Sequence, residues 1–371
     1  MNKPKVIALY LPQYHPTPDN DRWWGKGFTE WTNVGKAKPL YPGHYQPKVP
    51  ADLGYYDLRL PEVREAQAQL AKEAGIYGFC YYHYWFGNGK QELETPFKEV
   101  VNSGKPDFPF MLCWANESWH KMFWNKDGKG SSKEVLIEQT YPGEEDIINH
   151  FNYLLPAFKD KRYIKIDGKP AFMIYRPFQY EGVETFMALW QKLAKANGLN
   201  GIYFIAQKQS YSQIHTSEID LLETYKSQGF SALNVVRLYD AYGSVSKTSR
   251  YWNIFKKIIL NSPWVYSYES MIKKLSAPND SHPEIFPTLI PNWDHTPRSG
   301  KAGLVFANST PELFDIHVKD IMDKVKNKDR NHNFIFLKSW NEWGEGNYVE
   351  PDLKYGKGYL DVLKRNLIQE E

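Results

Sequence analysis

At 371 residues the chain is long for one ordinary domain, yet within the range of a single α/β domain with insertions. It is 42% hydrophobic and 24% charged, a globular composition with ample material for a large core. Its 46 basic and 43 acidic residues leave a net charge of +3, which gives no reason to invoke nucleic acid or a polyanionic partner. No stretch approaches the roughly 20 apolar residues needed to cross a bilayer. The opening "MNKPKVIALYLPQYHP" holds a short apolar run ending at Pro12 and lacks a small-residue cleavage site. A cytoplasmic protein without a transmembrane segment is therefore expected.

Aromatic residues make up 16% of the chain, with 13 Trp and 26 Tyr. Such a share suits a large core, and equally a cleft in which flat sugar rings stack on aromatic faces. Composition does not decide between them. The two cysteines, Cys80 and Cys113, lie inside apolar runs and read as buried free thiols.

Taken in order, the first apolar run is "KVIALYLPQY" (5–14). A proline-rich, aromatic connection over 15–60 follows, too aromatic for disorder and read as a packed wall above one end of the fold. Residues 61–74 have helical spacing at Val63, Ala66, Leu70, Ala71 and Ala74, opened by Pro61 and closed by Gly75. Further buried strands are read at 77–86, 108–116, 170–177, 201–207 and 219–225, each rich in Ile, Phe, Tyr, Val or Leu. A helix over 183–197 lies between the fourth and fifth of these eight runs. Its apolar face is Phe186, Leu189, Trp190, Leu193 and Ala194. A second long connection spans 226–282, helical in part. Strands at 286–294 and 334–343 enclose a helix over 310–327, with a capping-box-like "STPE" start and Leu313, Ile316, Ile321 and Val325 as its apolar side. A weaker helix over 355–369 closes the chain.

Eight strands alternating with helices predict an α/β fold, a (β/α)8 TIM barrel with long loops after strands 1 and 6, in one domain over 1–371. An open doubly wound sheet is the alternative, but no G-x-G-x-x-G follows an early strand.

In such a barrel the reactive residues lie where strands end and the following loops begin. Those positions hold Gln13–His15, His83–Trp85, Trp114–Glu117, Arg176, Gln207, Glu223, Trp293–His295 and Trp340–Glu345. Acids, amides and aromatics suit a neutral polyol; no glycine-rich phosphate loop is present. In "FIFLKSWNEWGEGNYVEPD" (334–352), Glu342 and Glu345 stand three residues apart. If the strand ends near Trp340 and the backbone turns helically, both face one cavity. Two carboxyls astride a glycosidic bond, one neutral and one ionised, are the equipment of glycoside hydrolysis. Proximity separates their pKa values, and flanking Trp340 and Trp343 are expected to exclude water. The plainer reading is a pair of solvated loop acids.

"WNEWGEG" (340–346) resembles the signature of glycoside hydrolase family 99-like proteins, including the WbsX group linked to bacterial surface-polysaccharide gene clusters. "ALYLPQYHP" (8–16), the block over 23–58, "LCWANESW" (112–119) and "PNWDHTPR" (291–298) resemble WbsX blocks too, so the likeness covers nearly the whole chain. It implies a (β/α)8 barrel and, from the hydrolase branch, retaining chemistry on α-mannosides through the substrate's own 2-hydroxyl. Carried over, Glu342 is the base on that hydroxyl and Glu345 the general acid/base. The residues alone leave one of them open as a nucleophile. The WbsX branch is also described as glycosyltransferase, and "WANESW" departs from the branch's "WANENW" form.

Two rivals remain. His15, His83, His295 and Asp294 could serve a metal-dependent polysaccharide deacetylase, although no H-x-H or H-E-x-x-H spacing occurs, and no metal or cofactor is expected. A non-catalytic carbohydrate-binding protein would keep the aromatics without needing both acids. The expected partner is an oligosaccharide or polysaccharide, with Trp114, Asn116, Glu117, Asn341, Tyr82, His83, Trp293, Asp294, Trp340 and Trp343 as substrate contacts. Glu30 and Trp31 lie in the first long loop, whose folding the sequence does not give.

Overall fold

The computed structural model describes residues 3–121, 134–208 and 217–368. Eight parallel strands form a closed ring: β1 (Lys5–Tyr10), β2 (Gly78–Trp85), β3 (Phe110–Trp114), β4 (Lys169–Ile174), β5 (Tyr203–Lys208), β6 (Ala232–Val235), β7 (Ile285–Leu289) and β8 (Phe334–Leu337). Each pairs with its successor, and β8 returns to β1 in the register Lys5 to Phe334 and Ala8 to Leu337. Closure leaves no sheet edge, so strands such as β2 are buried from end to end. This is the predicted (β/α)8 barrel.

Helices follow the strands: α1 (Pro61–Glu73), α2 (Thr95–Ser103), α3 (Glu144–Lys159), α4 (Val183–Ala196), α5 (Glu218–Gln228), α6 (Lys247–Leu260), α7 (Pro311–Val325) and α8 (Gly358–Leu367). Pro61 and Pro311 each start a helix where a missing N–H costs nothing. Thr310 Oγ1 caps α7 by accepting the Leu313 N–H at 3.3 Å. The predicted final helix reached residue 369, which lies outside the described residues. No helix among the described residues is long and apolar enough to cross a membrane.

One predicted strand is a helix. "IDLLETY" (219–225) lies within α5, where Glu218, Leu221, Leu222 and Tyr225 are buried at the 3, 4, 7 spacing of one helical face. The sixth strand is the four-residue "ALNV" instead. Its buried Asn234 accepts from Gln207 Nε2 at 2.8 Å and donates to Thr288 Oγ1 at 2.9 Å, a polar brace between strands. Glu223, expected at a strand end, is an exposed α5 side chain. The face of α7 is also rotated from expectation: Phe314, Val318, Ile321 and Val325 are buried, whereas Ile316 is 55% exposed.

The first long connection is where the sequence indicated, after β1; the second follows β6, but the span expected for it, 226–282, also takes in the end of α5 and β6 itself. Residues of the second join the loop after β7: Trp264–Ser267 pairs with Leu304–Ala307, which pairs in turn with Trp293–Asp294. Cys80 and Cys113 are buried and free.

Candidate active site

The chain leaves β8 at Leu337 and reaches Glu342 through Ser339, whose Oγ accepts the Glu342 N–H at 2.8 Å. Asn341 fixes this exit against the end of β1, accepting the Leu11 N–H at 2.8 Å and donating to the Leu11 carbonyl at 3.0 Å. A 3-10 turn over Trp343–Glu345 then brings Glu345 round to the same side as Glu342. Trp343 pins the turn: its ring stacks on Tyr348 at 3.7 Å, and its Nε1–H donates to Glu350 at 2.6 Å.

Both acids line a cavity of about 780 Å³, the size of an oligosaccharide subsite or two. One guanidinium holds them. Arg298 Nη1 lies 2.7 Å from Glu345 Oε1 and Nη2 lies 2.8 Å from Glu342 Oε2. Its Nε and Nη2 also reach Glu30, at 3.0 and 3.1 Å. Glu30 opens a short helix, Glu30–Lys36, whose first N–H donates to Gln13 O. Arg298 sits in the turn Thr296–Ser299, which Asp294 caps through the Thr296 N–H and hydroxyl. Asp294 in turn takes a hydrogen bond from Gln46 and lies 2.8 Å from His44 Nε2, so the first long loop braces the arginine.

The two acids differ in their surroundings. Burial pushes the Glu342 carboxyl up to about 7, with Glu345 and Glu30 adding to the rise against Arg298 and Lys338. Burial acts on Glu345 too, but Arg298, then Lys338 and His295, outweigh it and hold that carboxyl below its ordinary range. His295 Nε2 is 3.7 Å from Glu345 Oε1. Burial keeps His295 below the usual imidazole value.

Of the expected contacts, Tyr82, Glu117, Trp293, Glu342 and Glu345 line the cavity. The others stand behind it. Trp340 packs on Phe79, and Trp343 and Asn341 shape the turn, so neither tryptophan shields the acids from within the cavity. His83 faces His150 at 2.8 Å; burial pushes it down to about 3. Trp114 donates to the Trp85 carbonyl, and Asn116 clamps the Arg176 backbone. Asp294 is the brace described above. His15 is buried, and no three His, Cys, Asp or Glu side chains among the described residues are grouped to hold a metal.

Sequence reasoning missed Arg298, Lys338, Trp24, Trp119 and Tyr239, all on the cavity wall. Arg298 ended a motif already singled out, "PNWDHTPR", and a buried-site arginine beside two acids was the available signal.

A closed barrel with paired carboxyls at the carboxyl ends of its strands is the frame of many enzymes that act on sugars. Solved structures share the fold. A glycoside hydrolase-like protein superposes with a TM-score of 0.61 at 15% identity, covering 100% of this chain and 95% of that one. The GH99 endo-alpha-mannosidase from Bacteroides thetaiotaomicron, in complex with bis-tris propane, gives 0.55 at 15% identity, covering 98% and 95%. The chain belongs to the family described as "Glycosyltransferase WbsX", whose model matches residues 6–363. "Uncharacterized protein WxcX" from two strains of Xanthomonas campestris pv. campestris is 33% identical over 368 residues in B100 and 34% over 370 in ATCC 33913. These alignments cover 98% of this chain and 49% of each relative, so the chain spans about half the length of the curated relatives it matches.

Proposed function

We propose that this chain is a carbohydrate-active enzyme that cleaves α-linked, mannoside-like glycosidic bonds with retention, using Glu342 and Glu345. One observation carries the reading: both carboxyls meet one guanidinium at the wall of a single cavity. Glu342 is the base that takes the proton of the sugar's 2-hydroxyl as its oxygen attacks the anomeric carbon. Glu345 gives a proton to the departing glycosidic oxygen, then takes one from the incoming water. The roles follow the family resemblance; with its carboxyl at about 7, Glu342 is ionised in part near neutrality and so able to accept that proton. Glu345 rests ionised against Arg298, so substrate entry must shift a proton toward it. Transfer to a hydroxyl other than water uses the same pair, and the family's description as glycosyltransferase favours keeping that outcome as the second reading.

The test incubates the protein with a panel of α-linked oligosaccharides and follows the anomeric configuration of fresh product by NMR. Retained configuration is expected. Inverted product, or consumption of a nucleotide sugar with no mannoside cleaved, overturns the reading.

A further inference from the structure

Helix α6 is built inside out. The only side chain it buries fully is Asn253, whose Oδ1 accepts the Val265 N–H at 2.9 Å. Its aromatics and aliphatics face solvent instead: Tyr251 is 70% exposed, Trp252 56%, Phe255 48%, Ile258 73%, Ile259 62% and Leu260 65%. Six of the fourteen exposed large apolar side chains among the described residues thus sit on one helix. Their spacing, 251 or 252, 255, then 258 and 259, makes a continuous stripe. Frayed structure does not explain it. Ser246 caps the start by accepting the Ser249 N–H, Asn261 ends the helix at φ 49°, and Lys257 Nζ ties the far side to the Lys301 carbonyl at 3.2 Å.

The charges on the same helix have one sign. Residues 247–260 carry Lys247, Arg250, Lys256 and Lys257 and no acid. The Lys256 ammonium lies 5.3 Å from the Trp252 ring centroid, against the rim of the apolar stripe. Aromatic and aliphatic side chains framed by cations are the pattern of a helix lying in a bilayer's headgroup region. Trp and Tyr favour that depth, and each cation gains from anionic lipid. A second copy is a poorer occupant, because a two-fold contact would set the same cations against each other with no acid on either helix.

We propose that α6 docks this protein on an anionic lipid surface, through Tyr251, Trp252, Phe255 and Ile259, with Lys247 and Lys256 meeting the headgroups. The inference does not depend on the assignment of Glu342 and Glu345. The helix adjoins the cavity through the backbone: Trp264, just after α6, donates its N–H to the carbonyl of Gly303, which lines the cavity.

The test is co-sedimentation of the purified full chain with vesicles of phosphatidylcholine alone or with about a third phosphatidylglycerol. Wild-type protein is expected to bind the anionic vesicles, at least about tenfold more weakly in 0.5 M salt, and to bind neutral vesicles poorly. Trp252→Glu with Phe255→Glu should lower binding about tenfold or more, and Lys247→Gln with Lys256→Gln several-fold. Both double variants should keep the wild-type melting temperature, since the substituted positions are on the surface. No binding to anionic vesicles, equal binding by the apolar double variant, or salt-independent binding overturns the proposal. A concentration-dependent dimer by analytical ultracentrifugation that Trp252→Glu dissolves, without vesicle binding, overturns it in favour of a second copy.

Discussion

Gly344 lies against the Glu30 carboxylate so closely that a Cβ at this position would overlap Glu30 Oε1 and stand 3.1 Å from Arg298 Nε. The glycine between the two acids is therefore a steric requirement of the ion cluster. Gly346 adds a second: it adopts φ +52°, and a Cβ there would come within 2.6 Å of Lys48 Nζ. Gly344→Ala is expected to push Glu30 off Arg298, costing about 1–3 kcal/mol of stability and lowering turnover at least about tenfold. Urea unfolding and steady-state kinetics on the same variant check both.

Arg298 is the sole cation bonded to all three acids of this cluster among the described residues. Replacing it with Gln leaves buried carboxylates without their partner, a loss of about 3–5 kcal/mol. Without the guanidinium the acids resist ionising. The Arg298→Gln variant should therefore be most destabilised at high pH and recover in part near pH 5. Equal loss at pH 5 and pH 8 in urea unfolding would contradict this.

Glu342 supplies a signed pH dependence. Its folded carboxyl titrates at about 7 against an ordinary 4.5, so between these values the folded chain holds a proton the unfolded chain has released. Stability then falls as pH rises through that window, by up to about 1.4 kcal/mol per pH unit from this group. Glu345 shifts the other way, and its contribution is lost only as pH drops toward and below 4.5. Glu350 and Glu92 also titrate near 7, so the comparison must be made against Glu342→Gln. That variant should show a shallower decline between pH 5 and 7 in parallel denaturation series.

The two acids can be separated by leaving group. Glu345→Gln should lose at least about a hundredfold on a natural glycoside and recover the bond-breaking step, read as a burst of phenol, on an aryl glycoside whose phenol leaves without a proton. Glu342→Gln should be impaired on both. The reverse pattern would exchange the roles and match the order in which the substrate-free carboxyls titrate.

Much of this was legible in the chain. Seven of the eight strands appear as apolar runs, because a strand buried on both faces has no polar positions to interrupt it. The exception, β6, is short and carries Asn234, so it has no such run, while the neighbouring α5 imitates one with "IDLL". The acid pair was legible because its residues are near in sequence. Arg298 was not, since its partners lie 44, 47 and 268 residues away and only the folded loops bring them together. Trp340, Trp343 and Asn341 neighbour the acids but are buried outside the cavity lining. Aromatic identity marks a packed turn as readily as a sugar platform.

Held together by Arg298 and neighboured by Lys338, the cluster balances to zero formal charge while Glu342 keeps its proton. When that proton departs, the cluster becomes a monoanion. Such a place is expected to suit a ring whose anomeric carbon is turning positive and to disfavour uronates or sulfated sugars, which competition binding with neutral and charged oligosaccharides checks. The sign of the field, set by two cations against three acids, thus bears on a ligand before any hydroxyl is read.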